Sequence, residues 1–408
     1  MIALLPGAFV LLVLLYSVVS GRLERTVVTG PIVFTVAGIL MLPALESVRG
    51  AGVDVHVFLN LAEVGLVLLL FTDASRTDLD VLKDVRALPA RLLSVGMLLT
   101  LLLGAIVARV VFPTLSIWEA GILSAMLAPT DAGLGQVIVT SPHVPVRVRE
   151  ALNVEAGLND GLSVPFLLFL MALAGAGADG DRASLARFVH EQLGYGVLVG
   201  GAIGLVGGSL LGTADRRGWM AASFAQIGVV TLPLLCLLAS EWAGASMFIA
   251  AFVAGLAVQV PFRDAGRHAV EFADEWGRLL NFTVFFFFGM VVAQDWRRFD
   301  APIVLYAVLS LTIVRMLPVA VALVGSGLDR ATVLFMGWFG PRGLASIVLG
   351  LVYLEQERHL AGEETTRLAV MATVLLSIFA HGLSAMPGIR MYTRALGTAG
   401  ETPPDGDR

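Results

Sequence analysis

The chain has 408 residues, of which 57% are hydrophobic and only 14% are charged, and its mean hydropathy is +0.86. Soluble globular proteins contain about 45–50% apolar and about 25% charged residues. This composition excludes a soluble enzyme, a nucleic-acid-binding protein and a disordered chain, and it indicates an all-α polytopic membrane protein. The net charge of −5 matters less than where the charges lie, and the single cysteine, Cys236, excludes an internal disulfide.

About 20 mostly apolar residues are needed to cross roughly 30 Å of hydrocarbon. Thirteen segments meet this requirement, at about 2–20, 28–45, 53–72, 88–112, 117–140, 150–175, 188–212, 221–240, 243–262, 275–294, 301–325, 330–354 and 367–389. The first has no basic residue ahead of it, which favours a retained helix over a cleaved signal peptide. Residues 1–390 are therefore predicted to form the membrane part, and polar residues 391–408 a disordered cytoplasmic tail.

The Lys and Arg residues predict the orientation of these spans. Sixteen of the 27 lie in the tail and in the loops after odd-numbered spans, whereas eight lie on the opposite side. Cytoplasmic loops carry the excess of positive residues. We therefore expect the N-terminus outside and the C-terminus in the cytoplasm. The compactness of the chain and its arginine-rich, lysine-poor composition lead us to expect a bacterial plasma membrane as the location.

The number of spans carries information of its own. Six spans precede and six follow the seventh, and the two sets begin on opposite sides of the membrane. Such inverted repeats, with a binding site near the midplane, are the usual plan of secondary transporters. A transporter is therefore favoured over a channel or an enzyme.

Two of the spans contain helix-breaking residues at equivalent positions of the two halves. Span 5 carries Pro129-Thr130-Asp131 near its middle, and span 12 carries Gly340-Pro341-Arg342-Gly343. Proline removes a backbone donor and clashes with the preceding turn, and corresponding interruptions in the two halves point to a transport site. The alternative for span 5 is a simple kink with Asp131 hydrogen-bonded across helices.

Span 6 carries two carboxylates and an amide, Glu155, Asn159 and Asp160, within the apolar region. Buried charges of this kind are costly and are usually paired or functional. Arg315 in span 11 needs a permanent anionic partner, because guanidinium does not lose its proton. Glu155 is favoured as that partner over Asp160, which is left free to titrate. A structural salt-bridge network without transport, or an Arg315 that reaches the interface, are the alternatives.

Weaker signals elsewhere do not change this prediction. Glu63, Glu119, Glu241 and Arg278 are either pathway residues or lie at interfaces or subunit contacts, and His381 fits a helix-packing role better than a pH sensor. The histidines lack metal-ligand spacing, and no glycine-rich phosphate loop indicates ATP-driven pumping. No cofactor is expected.

These motifs resemble the monovalent cation:proton antiporter family, in the branch of the prokaryotic NhaP-like antiporters and the animal sodium/proton exchangers. The resemblance rests on Pro129-Thr130-Asp131, residues 153–161 and Gly340-Pro341-Arg342-Gly343, and Asn159-Asp160 is its most specific element. The electrogenic sister branch has Asp-Asp there and a membrane lysine in the second half, which this chain lacks.

The resemblance implies roles for individual residues. Asp160 is the expected cation- and proton-binding carboxylate, with Thr130 and Asp131 as further ligands of the transported monovalent cation and Asn159 as the orienting amide. Glu155 and Arg315 are the expected structural ion pair. Arg342 matches the arginine after the second broken helix.

The resemblance also implies a homodimer that works by an elevator motion. The moving core is expected at about 88–175 and 301–389, the dimerisation part at about 2–72 and 221–294, and a linker helix at about 188–212. Exchange of Na⁺, or of K⁺ or Li⁺, for H⁺ is expected to be electroneutral.

Two departures from the family pattern affect the choice of cation. Ala156 stands where the family usually has serine, and Ala132 where relatives often have proline. The first removes a hydroxyl ligand. Three competing hypotheses remain: a cation channel, a membrane-embedded aspartyl hydrolase using Asp131 and Asp160, and a non-transporting sensor.

Overall fold

The computed structural model describes residues 4–23, 26–41, 55–76, 87–176, 190–265, 278–355 and 360–397. In these ranges the chain is helical, and its helices are α1 (Leu4–Leu23), α2 (Gly30–Leu40), α3 (Val55–Arg76), α4 (Ala87–Val111), α5 (Ile117–Met126), α6 (Ala132–Val139), α7 (Val146–Ala176), α8 (His190–Arg216), α9 (Ala222–Ala243), α10 (Met247–Val258), α11 (Arg278–Asp295), α12 (Ala301–Leu311), α13 (Ile313–Ala322), α14 (Arg330–Trp338), α15 (Leu344–Glu355) and α16 (Glu363–Gly397).

The all-helical membrane class predicted from the sequence is confirmed. Within the described ranges, seven helices are long and apolar enough to cross a bilayer, and shorter apolar helices accompany them. Each predicted span overlaps at least one helix, and spans 5 and 12 are interrupted where their prolines and glycines lie. The last helix continues to Gly397, past the predicted start of the tail, and residues 398–408 lie outside the described ranges.

One interruption was not predicted from the sequence. The span expected at 301–325 is divided at Thr312, between α12 and α13. The hydroxyl of Thr312 donates to the carbonyl of Val308 over 2.6 Å, and such back-bonding bends helices. The bend directs α13, and with it Arg315, into the protein.

Polar side chains fix where several helices begin. A side-chain oxygen accepts from a backbone N–H in the first turn of α5, α6, α10, α12 and α14, and these caps are Ser116, Asp131, Ser246, Asp300 and Asp329. Caps of this kind satisfy backbone donors that have no partner within the helix. Among these caps, Asp131 lies inside an apolar span, where it fixes the start of α6 after the first break.

The helices pack in two groups. In one, α8 and α9 pack on α10, α10 packs on α3, and α11 packs on α2. In the other, α4 and α7 pack on α5, α12 and α15 pack on α16, and α13 packs on α14. The groups meet where α3 contacts α7 and α15 and where α10 contacts α7, and the interrupted helices lie in the second group.

Glycines allow α8 to approach α10 closely. Gly200, Gly204 and Gly208 recur at every fourth position on the face of α8 that packs on α10. A Cβ on Gly200 would overlap the backbone carbonyl of Ala250. Small residues at this spacing let helix backbones pack closely in membranes.

We predict that Gly200→Ala lowers the free energy of unfolding by about 1–3 kcal/mol, because the new methyl group overpacks this contact. Gly201→Ala is the matched control, since no atom outside its own helix lies within 4 Å of a Cβ there. Thermal unfolding in detergent micelles measures both. Equal melting of the two variants would contradict the close packing of α8 on α10.

Candidate ion-binding site

The two interrupted helices touch at their breaks. The first break separates α5 from α6 and the second separates α14 from α15. The backbone N–H of Asp131 in the first break donates to the carbonyl of Pro341 in the second, over 2.8 Å. Four helix ends, with their unpaired backbone groups, therefore lie close together inside the protein.

Asp131 joins the two helix N-termini at this point. Its Oδ1 accepts from the backbone N–H of Leu134 in α6 over 2.9 Å, and its Oδ2 accepts from that of Leu344 in α15 over 2.5 Å. A carboxylate is stabilised by the positive end of a helix dipole, and this one serves two helices. A Cβ on Gly343 would collide with Oδ2, so glycine is needed there. Both carboxylate oxygens already accept backbone hydrogen bonds, and cation binding by Asp131 stays a prediction.

Arg342 supplies the opposite charge to the C-terminal end of α5. The side chain is 0% exposed, and its Nη1 donates to the carbonyls of Ala128 and Pro129 over 2.8 and 2.9 Å. Cations stabilise the negative end of a helix dipole. Its Nε and Nη2 have no hydrogen-bond partner within the described ranges, so polar capacity remains for water or for an anionic group.

Asn159 holds Thr130 by a pair of reciprocal hydrogen bonds. The backbone N–H of Thr130 donates to Oδ1 of Asn159 over 3.2 Å, and Nδ2 of Asn159 donates to the Thr130 hydroxyl over 2.7 Å. The amide orientation follows from these partners. The unwound segment of the first broken helix is thereby fixed to α7.

Asp160 lies next to Asn159 on α7, and its carboxylate differs from those of Asp131 and Glu155 in its hydrogen bonding. It is 3% exposed, and its Oδ1 has no hydrogen-bond partner among the described residues. The charges of Asp73 and Asp131 repel the Asp160 carboxylate, and that of Arg342 attracts it. A buried carboxylate oxygen without a partner is costly unless a proton or a cation neutralises it.

Glu155 and Arg315 form a two-pronged contact between α7 and α13. Nη1 of Arg315 lies 2.5 Å from Oε1 of Glu155, and Nη2 lies 2.9 Å from Oε2. Both side chains are buried, and a Cβ on Gly340 would overlap the guanidinium group. The two planar groups match in shape and charge, so this charge pair is neutral as a unit.

A small pocket lies beside the first break. Thr130, Asp131, Glu155 and Ala156 line it, together with residues of α6 and of the second break. Ala156, the residue that departs from the family pattern, therefore faces open space next to Thr130 and Asp131.

Two further polar residues lie near the site that the sequence did not indicate as candidates. Asp73 on α3 packs against α7, since a Cβ on Gly157 would lie 3.4 Å from the Cβ of Asp73. Asn281 on α11 lies beside Asp131, because a Cβ on Gly133 would lie 3.0 Å from both Asn281 Nδ2 and Asp131 Oδ1. Each is a polar residue at or near the end of an apolar run, and that signal does not distinguish a site from an interface.

Among the residues with weaker sequence signals, Glu119 has a local role. Glu119 and Ser116 form a capping box at the start of α5, and Oε1 of Glu119 also accepts from the N–H of Gly362 over 2.6 Å. Glu241 is exposed, and the side chain of Arg278 lies outside the described part of the structure. Glu63 is partly buried on α3.

The fold and the site define an integral membrane protein of the transporter type, with two discontinuous helices and buried charges at their breaks. The family model for the transmembrane sodium/hydrogen exchangers matches residues 8–389. The chain belongs to this family, and the resemblance predicted from its motifs is confirmed.

Individual relatives are distant. The Na⁺/H⁺ antiporter 2 of Zygosaccharomyces rouxii is 26% identical over 279 residues, which are 64% of this chain and 34% of that protein. The K⁺/H⁺ antiporter NhaP of Alkalimonas amylolytica is 23% identical over 354 residues, which are 85% of this chain and 59% of that protein. The chain thus spans between about a third and three-fifths of the length of these curated relatives.

A solved structure has the same fold. The sodium proton antiporter MjNhaP1 from Methanocaldococcus jannaschii at pH 8 superposes with a TM-score of 0.76 at 20% sequence identity. The alignment covers 96% of this chain and 100% of that one.

We predict that Glu155→Gln and Arg315→Gln each lower the free energy of unfolding by about 3–5 kcal/mol, because each leaves one buried charge without its partner. The double variant should lose less than the sum, since it leaves neither charge behind. Thermal unfolding in detergent measures all three.

Arg298→Gln is the matched control for this experiment. Arg298 is paired with Asp295 and Glu364, but its side chain is 46% exposed, and exposed pairs contribute about 0–1 kcal/mol. Wild-type melting of both single variants at the buried pair would count against its structural role.

Proposed function

We propose that the protein exchanges a monovalent cation for H⁺ across the membrane, with Na⁺ as the favoured cation and K⁺ or Li⁺ as alternatives. The observation that carries the proposal is the buried Asp160 carboxylate, whose Oδ1 has no partner among the described residues, beside two discontinuous helices. Relatives of the chain include proteins named as Na⁺/H⁺ and as K⁺/H⁺ antiporters. These names have exchange for H⁺ in common and differ in the cation.

Asp160 binds either a proton or a dehydrated cation, and never both. Thr130 offers a further oxygen, Asn159 keeps Thr130 in place, and Asp131 lies next to them at the helix ends. Competition of the two ions for one carboxylate couples their movements without direct contact between them. Because the proton is one competitor, exchange depends on pH.

The charges around the breaks support an electroneutral cycle. Glu155 is neutralised by Arg315, and the Asp131 carboxylate at two helix N-termini is balanced by Arg342 at a C-terminus. Asp160 is then the carboxylate of the broken-helix group whose charge changes. One proton or one monovalent cation neutralises it, so both loaded forms carry the same charge.

Neutralisation of Asp160 permits alternating access. A charged, empty site would have to cross an apolar boundary at the desolvation cost of a buried ion, so the empty form stays where it is.

The group of α4–α7 and α12–α16 is the moving core, and the group of α1–α3 and α9–α11 is the dimerisation part, with α8 as the linker. We propose that these helices make thirteen membrane crossings, that the two halves of the chain are inverted repeats, and that the protein is a homodimer.

The excess of basic residues in the loops after odd-numbered spans supports a cytoplasmic C-terminus, and we propose a plasma membrane as the location. The pocket beside the first break is lined by the end of α6 and the beginning of α7. The loop between these helices leads to Arg147 and Arg149, on the predicted cytoplasmic side. We propose that this pocket leads from the cytoplasmic side to Thr130 and Asp131, which line it.

We predict that Asp160→Asn abolishes exchange without unfolding the protein, because the amide can neither take up a proton nor balance a cation. Proteoliposomes with an imposed pH gradient are given Na⁺, K⁺ or Li⁺ in turn, and collapse of the gradient is recorded at zero and at an imposed membrane potential. Wild-type protein should collapse the gradient with Na⁺ independently of the potential. Asp215→Asn, the same change at an exposed residue of α8, is the control.

The outcomes separate the competing hypotheses. An Asp160→Asn variant that still exchanges ions and responds to pH would contradict the proposed mechanism. A current that follows the membrane potential without proton movement would indicate a cation channel. Folded wild-type protein that responds to no cation would indicate the sensor.

We predict that Ala156→Ser lowers the cation concentration for half-maximal exchange about two- to fivefold. Residue 156 lines the pocket next to Thr130 and Asp131, and a hydroxyl there offers an additional oxygen ligand for a hard cation. Ala156→Cys has a similar volume but a poor ligand for such a cation, and it serves as the control. An equal effect of the two variants, or none, would exclude a ligand role for this position.

A further inference from the structure

Three polar side chains on one face of α16 contact the second break. Ser377, His381 and Ser384 are spaced by four and three residues, which places them on the same side of a helix. His381 is 2% exposed, and its ring lies 5.1 Å from that of Trp338, the last residue of α14. We call these three residues the α16 stripe.

The α16 stripe holds both ends of the break. On the α14 side, Nε2 of His381 lies 2.9 Å from the carbonyl of Trp338, and the indole Nε1 of Trp338 donates to the hydroxyl of Ser384 over 2.9 Å. On the α15 side, the backbone N–H of Arg342 donates to the hydroxyl of Ser377 over 2.6 Å. A single rigid helix therefore sets the separation between the end of α14 and Arg342.

Both ring nitrogens of His381 have partners. Nε2 lies 2.9 Å from the carbonyl of Trp338, which only accepts, so Nε2 carries a hydrogen and donates to it. Nδ1 lies 3.0 Å from the carbonyl of Ser377 and 3.1 Å from its hydroxyl, whose oxygen also accepts from the N–H of Arg342. His381 therefore links Ser377, and through it Arg342, to the end of α14.

Three of the four helix ends at the breaks have charged side-chain partners, whereas the C-terminal end of α14 has the imidazole of His381. Arg342 caps α5, and Asp131 caps α6 and α15. The carbonyl of Trp338 belongs to the C-terminal end of α14, where backbone carbonyls lack partners within the helix. Among the described residues, the side chain that contacts this carbonyl is His381, and the carbonyl also accepts from the backbone N–H of Gly340 over 2.9 Å.

We propose that His381 is a positioning residue for the ion site, acting through Trp338 and Ser377 on the backbone of Arg342. The inference rests on the proposed function and deepens it. Displacement of Arg342 would move its Nη1 away from the carbonyls of Ala128 and Pro129, which directly precede Thr130. His381 does not touch the cation, and its effect reaches the site through the two breaks.

The test compares two substitutions that keep the volume of the side chain and differ in hydrogen bonding. His381→Gln retains an amide donor for the Trp338 carbonyl and an oxygen acceptor for the Ser377 hydroxyl, whereas His381→Leu has neither. We expect His381→Leu to raise the cation concentration for half-maximal exchange about tenfold, and His381→Gln to stay within about threefold of wild type. The change should exceed any change in the maximal rate, because cation affinity is what the displaced break alters.

Thr373→Val is the matched control on the same helix. The Thr373 hydroxyl is buried and donates to the carbonyl of Ala369 within α16, so its loss leaves the break in place. We expect wild-type cation dependence from this variant. Ser377→Ala should resemble His381→Leu, and the double variant should be no worse than either, because the two residues act in one chain of hydrogen bonds.

Three results would overturn the inference. The first is that His381→Leu has the same cation concentration for half-maximal exchange as wild type. The second is that His381→Gln raises this concentration as much as His381→Leu does. The third is that the effects of the Ser377 and His381 substitutions add in the double variant. Thermal unfolding of each variant identifies a purely structural role, which lowers the melting temperature and leaves cation affinity unchanged in the folded fraction. Wild-type protein without exchange would contradict the proposed function itself, so the two failures are distinguishable.

Discussion

The arrangement of this protein depends on four helix ends that lie within apolar spans. In hydrocarbon, backbone N–H and C=O groups without partners cost several kcal/mol each, and broken helices persist only where protein or water satisfies them. Asp131 serves two of these ends and Arg342 serves a third. The buried charges are thus required by the breaks, and the contact between Asp131 and Pro341 brings the breaks together.

This requirement divides the acidic residues by task. Glu155 contacts Arg315 through both oxygens, and both oxygens of Asp131 accept backbone hydrogen bonds. Their charges are compensated by fixed partners. Asp160 lies among them with one oxygen that has no partner within the described ranges. The proposed exchange needs one such group, whose charge changes with the ion bound to it, held in place by others whose charges do not change.

Much of this could be predicted from the sequence, because apolar length and helix-breaking residues act locally. Pro129 and the glycines around Pro341 indicated both breaks, and the deep position of Arg315 indicated an acidic partner on another helix. The bend at Thr312 depends on a side-chain hydrogen bond that composition does not reveal. Asp73 and Asn281 lie beside the site because α3 and α11 pack there, and a single sequence carries no record of that packing.

The same reasoning explains why the site lies at the boundary between the two helix groups. Gly157 and Gly161 flank Asp160 on α7, and neither has a side chain to keep the other group away. A Cβ on Gly161 would collide with the ring of Phe252 on α10, and one on Gly157 would contact Asp73 on α3. A carboxylate between two glycines therefore faces a surface of the other group rather than its own. For the proposed exchange this position is necessary, since a site buried within one group would gain access to neither side when the groups move.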